Sequence, residues 1–200
     1  MNVVGMWDRG EFVIPTPDSR IGNSDILVLA GSEEQLAAFD RYIVSASMEE
    51  TYVIILGGGR VGRRAAAALR EMDIPHVIVE KNPDEIREDS PYVQGSAADI
   101  DVLLHAGIGR ATSVIITTQD DDTNIYLAIY CRRLRPDMHI VSRATLERNI
   151  STLHHAGADI VLSYASLGSN AIMNFLKNNR VLMLAEGLDI LHAAVPASLA

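Results

Sequence analysis

A glycine-rich hexapeptide, Gly57 to Gly62, contains the residues best suited to hold a charged ligand. Its glycines at 57, 59 and 62 match the G-x-G-x-x-G pattern, follow an apolar run and open an alanine-rich segment. In this pattern Gly57 permits a tight turn, Gly59 lets the backbone approach a pyrophosphate, and Gly62 lets the helix pack on the strand. Arg60 and Val61 begin that helix, whose free N–H groups and positive dipole end would face phosphates. A plain strand-to-helix turn is the alternative interpretation.

An acidic residue, Glu80, follows at the distance that ribose recognition requires. It ends the second apolar run, 18 residues after Gly62, and the dinucleotide-binding pattern has a carboxylate for the ribose hydroxyls at roughly 20 residues. A carboxylate at this place repels a 2′-phosphate, which favours NAD or an adenosine phosphate over NADP. A solvated carboxylate at a strand end is the alternative interpretation.

Three consecutive acids, Asp120 to Asp122, follow another predicted strand, at an edge where open α/β sheets bind ligands. They suggest a metal site, but the spacing of a calcium loop is absent, and capping of the next helix is the preferred interpretation. Thr117 and Thr118 precede them and can reach a ligand. The adjacent His154 and His155 point about 100° apart on a helix, so they are unsuited to ligate one metal together. We therefore predict no metal site and no catalytic residues.

The elements that must position these residues follow from the alternation of apolar runs and helical segments. Such alternation is typical of a parallel sheet with right-handed crossovers. The predicted strands are Tyr52–Leu56, His76–Glu80, Tyr92–Gln94, Ser113–Thr117, His139–Ser142 and Asp159–Leu162. The predicted helices are Arg60–Met72, Ile100–Ala106, Thr123–Leu134, Leu146–Ala156 and Ser166–Asn178. The fold class is therefore α/β, a Rossmann-like doubly wound parallel sheet with helices on both faces.

Two shorter regions flank this predicted lobe. Their predicted elements are a hairpin of Val3–Trp7 and Glu11–Ile14, a strand at Asp25–Ala30, a helix from the N-cap Ser32 to about Tyr42, and one or two strands within Val181–Ala200. The polar, weakly patterned residues Val44–Glu50 indicate a boundary. We therefore expect a partial small α+β lobe at 1–45, a Rossmann lobe at 51–179 and the start of a truncated lobe at 180–200.

Composition narrows the class of protein. The hydrophobic fraction of 48% predicts a packed core, and the net charge of −9 disfavours nucleic-acid binding, which needs a positive surface. Arg132, Arg133 and Arg135 end a predicted helix, where cations complement the helix dipole. The single cysteine, Cys131, is most simply a small buried hydrophobe. Without a signal-peptide pattern or an apolar run of ~20 residues, we expect a soluble, cytoplasmic domain.

Several linked motifs cover about residues 52 to 178 in order. They are VIILGGGRVGRRAAAAL, VIVEKN, VQGSAADIDVLLHAGIGRATSVIITTQDDDTN, HIVSRA and HHAGADIVLSY. Together they resemble the RCK domain, the regulator of K⁺ conductance, which is also called KTN or TrkA-N. The first region is similar to the end of the family's smaller C-terminal lobe, and the tail is similar to the start of another. The chain thus resembles the middle of a tandem-RCK subunit.

The resemblance implies a cytoplasmic ligand-sensing domain that regulates a potassium channel or transporter. RCK lobes pair, assemble into rings below a membrane pore and bind NAD(H), ADP, ATP or ions; here NAD(H) is the first choice. The residues implied to bind the ligand are Gly57, Gly59, Arg60, Val61, Gly62, Glu80, Lys81, Ser96, Ala97, Thr117, Thr118 and Arg143. Ser96 stands where the family often has Asp near the adenine, which leaves the preferred nucleotide open. Arg143 stands where the family commonly has an Arg close to the ligand.

An NAD-dependent oxidoreductase is the alternative function. Hydride transfer needs a substrate and a general acid or base beside the nicotinamide, usually from a second domain. The segments outside the Rossmann lobe carry no convincing acid–base pair, so we predict a regulatory module and not an enzyme. Its predicted partners are a membrane pore module and a second copy of the chain, paired through the segment Ser166–Asn178. The apolar stripe of that segment consists of Leu167, Ala171, Ile172, Phe175 and Leu176.

Overall fold

The first region forms a small antiparallel sheet. The computed structural model describes residues 1–8, 11–22, 25–47, 51–166, 168, 169, 172, 181–185 and 188–191. The sheet contains β1 (Asn2–Asp8), β2 (Glu11–Val13) and β3 (Ile26–Ala30) in the order β2-β1-β3. The predicted hairpin and third strand are thus present, with the long strand β1 in the centre.

Helix α1 (Glu33–Ser47) follows β3 and begins with a reciprocal cap. The Ser32 hydroxyl accepts a hydrogen bond from the Gln35 N–H at 3.3 Å, and the Gln35 side chain accepts one from the Ser32 N–H at 3.1 Å. This capping box satisfies two backbone donors at the helix start. The predicted N-cap is confirmed, but the helix continues past Tyr42, so part of the predicted polar boundary is helical.

The central region, residues 51–166, contains a six-stranded parallel sheet. Its strands are β4 (Val53–Leu56), β5 (His76–Glu80), β6 (Tyr92–Gln94), β7 (Ser113–Ile116), β8 (His139–Ala144) and β9 (Ile160–Ser163). The order is β6-β5-β4-β7-β8-β9, which is the doubly wound order of a Rossmann sheet. From β4 the strands are added first on one side, as β5 and β6, and then on the other side, as β7, β8 and β9. The carboxyl ends of β4 and β7 therefore form the topological switch point.

Helices cover both faces of this sheet. They are α2 (Arg60–Glu71), α3 (Ile100–His105), α4 (Asp121–Leu134) and α5 (Ile150–His155), with short 3₁₀ turns at Pro83–Glu85 and Glu147–Asn149. On one face, Val53 and Ile55 pack with Ala66 of α2. On the other face, the core is completed by α3, α4 and α5 through Leu103, Leu127 and Leu153. The predicted fold class is confirmed, whereas the predicted helix at Leu146–Ala156 is a 3₁₀ turn followed by a short helix.

The C-terminal region is described in part. Of the predicted helix Ser166–Asn178, the described residues Ser166, Gly168, Ser169 and Ile172 are helical, and the rest lies outside the described residues. Strands β10 (Val181–Ala185) and β11 (Leu188–Leu191) pair antiparallel, as expected for the tail. In the part of the chain that the structure describes, no helix has the length and apolar character needed to cross a membrane.

A buried ion pair connects the end of α4 to the strand edge at β9. The Arg132 guanidinium lies 2.8 Å from an Asp159 carboxylate oxygen, and the two side chains are 17% and 5% exposed. The same guanidinium donates to the backbone carbonyls of Pro136, Met138 and Gly157. The predicted role of Arg132 in complementing the helix dipole is therefore incomplete, because this side chain joins three separate segments of the lobe.

Replacing Asp159 by Ala tests the contribution of this pair. The substitution leaves the largely buried Arg132 charge without its counter-ion and the Ile140 N–H without its acceptor, so the free energy of unfolding should fall by about 3–5 kcal/mol. Urea denaturation of the parent and the variant measures the difference. Asp137→Ala is the matched control, because it removes the exposed partner of Arg135, and its effect should be much smaller. Equal losses for the two variants would contradict a special role for the buried pair.

Candidate functional site

A cleft of about 450 Å³ opens at the carboxyl ends of β4, β5, β6 and β7. This is the edge at which open α/β sheets bind ligands, next to the topological switch point. The residues that line it are Gly57, Gly59, Val79, Glu80, Lys81, Asn82, Glu85, Gly95, Ser96, Ala97, Ala98, Thr117, Thr118, Gln119, Asp120, Thr123, Tyr126 and Leu127. The structure thus brings eight of the twelve expected ligand-binding residues to one cavity: Gly57, Gly59, Glu80, Lys81, Ser96, Ala97, Thr117 and Thr118.

The three pattern glycines have different surroundings. Gly57 has a φ of +108°, a backbone conformation that residues other than glycine rarely adopt. A Cβ on Gly62 would lie 1.9 Å from the Gly57 carbonyl oxygen, so the first turn of α2 packs directly against the residue that follows β4. A Cβ on Gly59, in contrast, would meet no atom within 4 Å. Two of the glycines are therefore required by the fold, whereas the space above Gly59 belongs to the cleft.

The N-terminus of α2 points into this open space. Gly59 is the N-cap residue, and no side chain caps the helix or adds an acid to its first turn. The first N–H groups of a helix have no intrahelical acceptors, and they carry the positive end of the helix dipole. Arg60 is exposed at the first helical position, and Val61 and Gly62 follow it. Outside the cleft lining but directly beside it, these residues form an end suited to bind an anion.

The Glu80 carboxylate lies beside the glycine turn. One of its oxygens accepts the Gly58 N–H at 2.5 Å, and the other accepts the Asn82 N–H at 2.8 Å. These two bonds hold the side chain at the end of β5. Each carboxylate oxygen has a second lone pair, so Glu80 can still accept hydrogen bonds from a pair of hydroxyl groups. Lys81 follows it and contributes a positive charge to the cleft wall.

Asn124 is a buried residue of α4 that the sequence analysis missed. Its side chain is fully buried, and its amide nitrogen donates to the carbonyls of Thr118 at 3.2 Å and Arg143 at 3.0 Å. These two carbonyls determine the orientation of the amide, so its oxygen must accept the Thr118 hydroxyl proton, at 2.6 Å. A polar residue one helical turn before the apolar Leu127 and Ala128 was the available sequence signal.

The two threonines after β7 therefore face the cleft as acceptors. The Thr118 proton is directed to Asn124, and the Thr117 hydroxyl donates to the backbone, with the Gly57 carbonyl at 2.9 Å. A hydroxyl has only one proton, and its lone pairs remain available. This part of the wall suits a donor group such as a hydroxyl or an amine, whereas phosphate oxygens suit the N-terminus of α2.

The segment at Ser96 closes the cleft beyond β6. Gly95 has a φ of +151°, and a Cβ there would lie 2.5 Å from Val102. The Ser96 hydroxyl accepts the Ala98 N–H at 3.3 Å, and Ala97 is half-buried beside it. With Ser96 at this position, the segment adds a neutral polar group and two methyl groups to the wall.

Arg143 does not line the cleft. Its guanidinium carbon lies 5.0 Å from the centre of the Tyr164 ring, in a cation–π contact. Its Nε atom is buried without a hydrogen-bond partner among the described residues. The expected contact of Arg143 with a ligand stays a prediction, and its carbonyl is connected to the cleft wall by the hydrogen bond from Asn124.

The acid run after β7 has a structural explanation. Asp120 caps α4 by accepting the Thr123 N–H at 2.9 Å, and hydrogen bonds from Thr123 lower the pKa of Asp120. Burial alone would raise the pKa of Asp121, but hydrogen bonds from Asn149 and from the Thr145 and Leu146 N–H groups outweigh it and lower the pKa. The preferred interpretation as a helix cap is confirmed for Asp120.

Within the described ranges, no cluster of three or more His, Cys, Asp or Glu side chains could hold a metal.

Cys131 is unsuited to nucleophilic chemistry. Its side chain is fully buried in the core, and burial raises the pKa of the thiol to about 12. The thiolate, which is the reactive form, is therefore scarce at neutral pH. The interpretation of Cys131 as a small core hydrophobe agrees with this position.

Comparisons with known proteins identify the family of this lobe. The family model of the TrkA-N domain matches residues 53–164. The Trk system potassium uptake protein TrkA homolog of Pyrococcus horikoshii is 31% identical over 155 residues, which are 70% of this chain and 68% of that protein. A Methanothermus fervidus protein of unassigned function is 35% identical over 138 residues, but the chain spans only 22% of its length.

Solved structures of the GsuK channel show the same fold. The channel bound to NAD is 36% identical, with a TM-score of 0.68 over 99% of this chain and 36% of that one. GsuK bound to ADP is 40% identical, with a TM-score of 0.60 over 69% of this chain and 37% of that one. This chain thus corresponds to about a third of a GsuK chain. It belongs to the TrkA-N domain family, and the resemblance to RCK domains predicted from its motifs is confirmed.

Proposed function

We propose that this chain is a ligand-sensing regulatory module of a potassium channel or transporter, acting on the cytoplasmic side of the membrane. The observation that carries the proposal is the cleft itself, in which an uncapped helix N-terminus faces open space beside Gly59 and Glu80. The family of the lobe supports it, because relatives include potassium uptake and potassium channel proteins. The ligand is an adenine nucleotide, with NAD(H) as the first choice and ADP or ATP as alternatives.

The geometry suggests how such a nucleotide would be held. Its phosphates would lie on the N-terminus of α2, at Gly59, Arg60, Val61 and Gly62, where free N–H groups and the helix dipole favour anions. Glu80 would accept the ribose hydroxyls, and Lys81 would balance part of the phosphate charge. Ser96, Ala97, Thr117 and Thr118 would line the remainder of the ligand. The GsuK structures bound to NAD and to ADP support both nucleotides as candidates.

The acids around the cleft favour a sensor over an enzyme. Glu80 accepts two backbone N–H groups, Asp120 caps a helix, and Glu85 pairs with Arg63. A general acid or base must exchange protons with a substrate, and side chains committed to structural hydrogen bonds are poorly placed to do so. We therefore propose that binding, without turnover, is the function of this cleft.

Ligand binding needs a route to the rest of the assembly, and Asn124 offers one. It joins Thr118 in the cleft to the backbone of Arg143, whose guanidinium packs on Tyr164 at the end of the sheet. The chain continues from there into the segment Ser166–Asn178, through which we expect two copies to pair. A change in the position of Thr118 would then shift the pairing segment and, through it, an attached pore.

Replacing Gly59 by Val tests the phosphate position. Because a Cβ on Gly59 meets no protein atom within 4 Å, the variant should melt at the parent's temperature while losing NAD⁺, ADP and ATP binding. In the parent, calorimetry should show micromolar binding, which corresponds to about −8 kcal/mol. Gly109→Val is the matched control, since a Cβ there is equally free but the residue does not line the cleft. A parent that binds none of these nucleotides would refute the proposal.

Replacing Glu80 by Gln tests the ribose contact. The parent should bind NAD⁺ more tightly than NADP⁺, because the carboxylate repels a 2′-phosphate. The Gln side chain keeps an acceptor for the Gly58 N–H but has no charge, so it should weaken NAD⁺ binding roughly tenfold and narrow the gap to NADP⁺. Titration of both dinucleotides against both proteins measures this. Equal affinities of the parent for NAD⁺ and NADP⁺ would rule out the assigned role.

Absence of redox turnover distinguishes the sensor from a dehydrogenase. NADH mixed with the protein and a panel of carbonyl compounds should show no protein-dependent loss of the nicotinamide absorbance, because the acids that line the described cleft are held by structural hydrogen bonds. The Gly59→Val variant is the control for any background reaction. Sustained oxidation of NADH by the parent that the variant lacks would favour an NAD-dependent oxidoreductase instead.

A further inference from the structure

One wall of the cleft is apolar and carries an aromatic ring. Tyr126 extends from the second turn of α4, lines the cleft and is 49% exposed. Ala97, Ala98 and Leu127 line the same cavity and add only hydrocarbon groups. Among the lining residues in the described chain, Tyr126 is the one aromatic side chain, so the wall offers a flat π surface that the rest of the cavity lacks.

A second ring supports the first. Tyr130 lies one helical turn further along α4, and the two ring centres are 5.8 Å apart with an angle of 20° between the planes. Tyr130 is itself half-buried and packs against the core. Because residues four apart on a helix lie on the same side, Tyr130 limits the rotation of Tyr126. The exposed ring is thus held in place at the edge of the cavity.

The polar parts of the cleft lie elsewhere. The N-terminus of α2 suits phosphates, and the Glu80 carboxylate suits a pair of hydroxyls, whereas the apolar wall suits neither group. A nucleotide has one remaining part, its base, which is flat, aromatic and poorly solvated on its faces. An exposed tyrosine in a cavity that apolar side chains also line matches those properties.

We propose that Tyr126 is the stacking platform for the base of the bound nucleotide, with Tyr130 as its positioning residue. The inference rests on the proposed function and specifies which part of the ligand this wall selects. Ser96 adds a polar contact at the edge of the same wall, because its hydroxyl oxygen accepts the Ala98 N–H and its own proton remains free to donate to a ring nitrogen. Affinity then depends on an aromatic base as well as on phosphates.

Titration of the whole chain with ADP and NAD⁺ tests the inference. Tyr126→Ala should weaken both nucleotides by on the order of tenfold or more, the usual loss when a stacking ring is removed. Tyr126→Phe keeps the ring and should bind within about twofold of the parent. Ile129→Ala is the matched control, since Ile129 is an exposed apolar residue of the same helix that does not line the cleft. Its affinity should equal the parent's.

A fluorescent probe supplies a second readout. The emission of 1,N⁶-etheno-ADP should change on binding to the parent and to Tyr126→Phe, and this stacking signature should be lost in Tyr126→Ala even at saturating protein. Full affinity and an unchanged signature in Tyr126→Ala, with binding still abolished by Gly59→Val, would overturn this inference and leave the proposed function standing. An equal loss in Ile129→Ala would overturn it too. A parent that binds neither nucleotide would overturn both.

Discussion

The close approach of helix α2 to strand β4 is the constraint on which the cleft depends. The Cα of Gly62 lies against the Gly57 carbonyl oxygen, so near that a Cβ would come within 1.9 Å. This contact brings the N-terminus of α2 directly over the end of β4. The positive φ of Gly57 allows the chain to turn within the few residues that separate the strand from the helix. The uncapped N–H groups and the open space above Gly59 follow from that arrangement, because a longer turn would move the helix end away from the switch point.

Buried polar side chains of α4 perform the equivalent task on the other side of the switch point. Asp121 holds the loop after β8 by accepting the Thr145 and Leu146 N–H groups, and Asn124 joins the ends of β7 and β8. The side-chain polar atoms of Asp121 and Asn124 all have hydrogen-bond partners, as burial requires. The floor of the cleft is therefore made of backbone segments tied to one helix, and that helix also carries Tyr126. Thr118 is connected to α4 by its hydrogen bond to Asn124, and Tyr126 is part of that helix.

The acidic side chains that line the cleft are held by hydrogen bonds and ion pairs. The chain has a net charge of −9, yet the acids at the cleft accept hydrogen bonds from backbone or from neighbouring side chains, and the helix end supplies the positive potential. Glu80 illustrates the arrangement, since two backbone N–H groups hold it while its second lone pairs remain available. This arrangement is the basis of the proposed binding of hydroxyls and phosphates.

The sequence by itself determined the parallel sheet, the glycine turn and the position of Glu80 at the end of a strand. Continuous apolar runs and glycine spacing are local signals with a direct steric meaning. The strands His76–Glu80 and Tyr92–Gln94 agree with prediction to the residue. Only the tertiary structure decided that Asn124 directs the Thr118 proton, that Tyr126 reaches the cleft and that Arg143 packs on Tyr164 outside it. These roles depend on contacts between elements far apart in the chain, as between Asn124 and Arg143. Local patterns specify which face of a helix is buried, but the side chain it meets there is selected by the packing of the whole lobe.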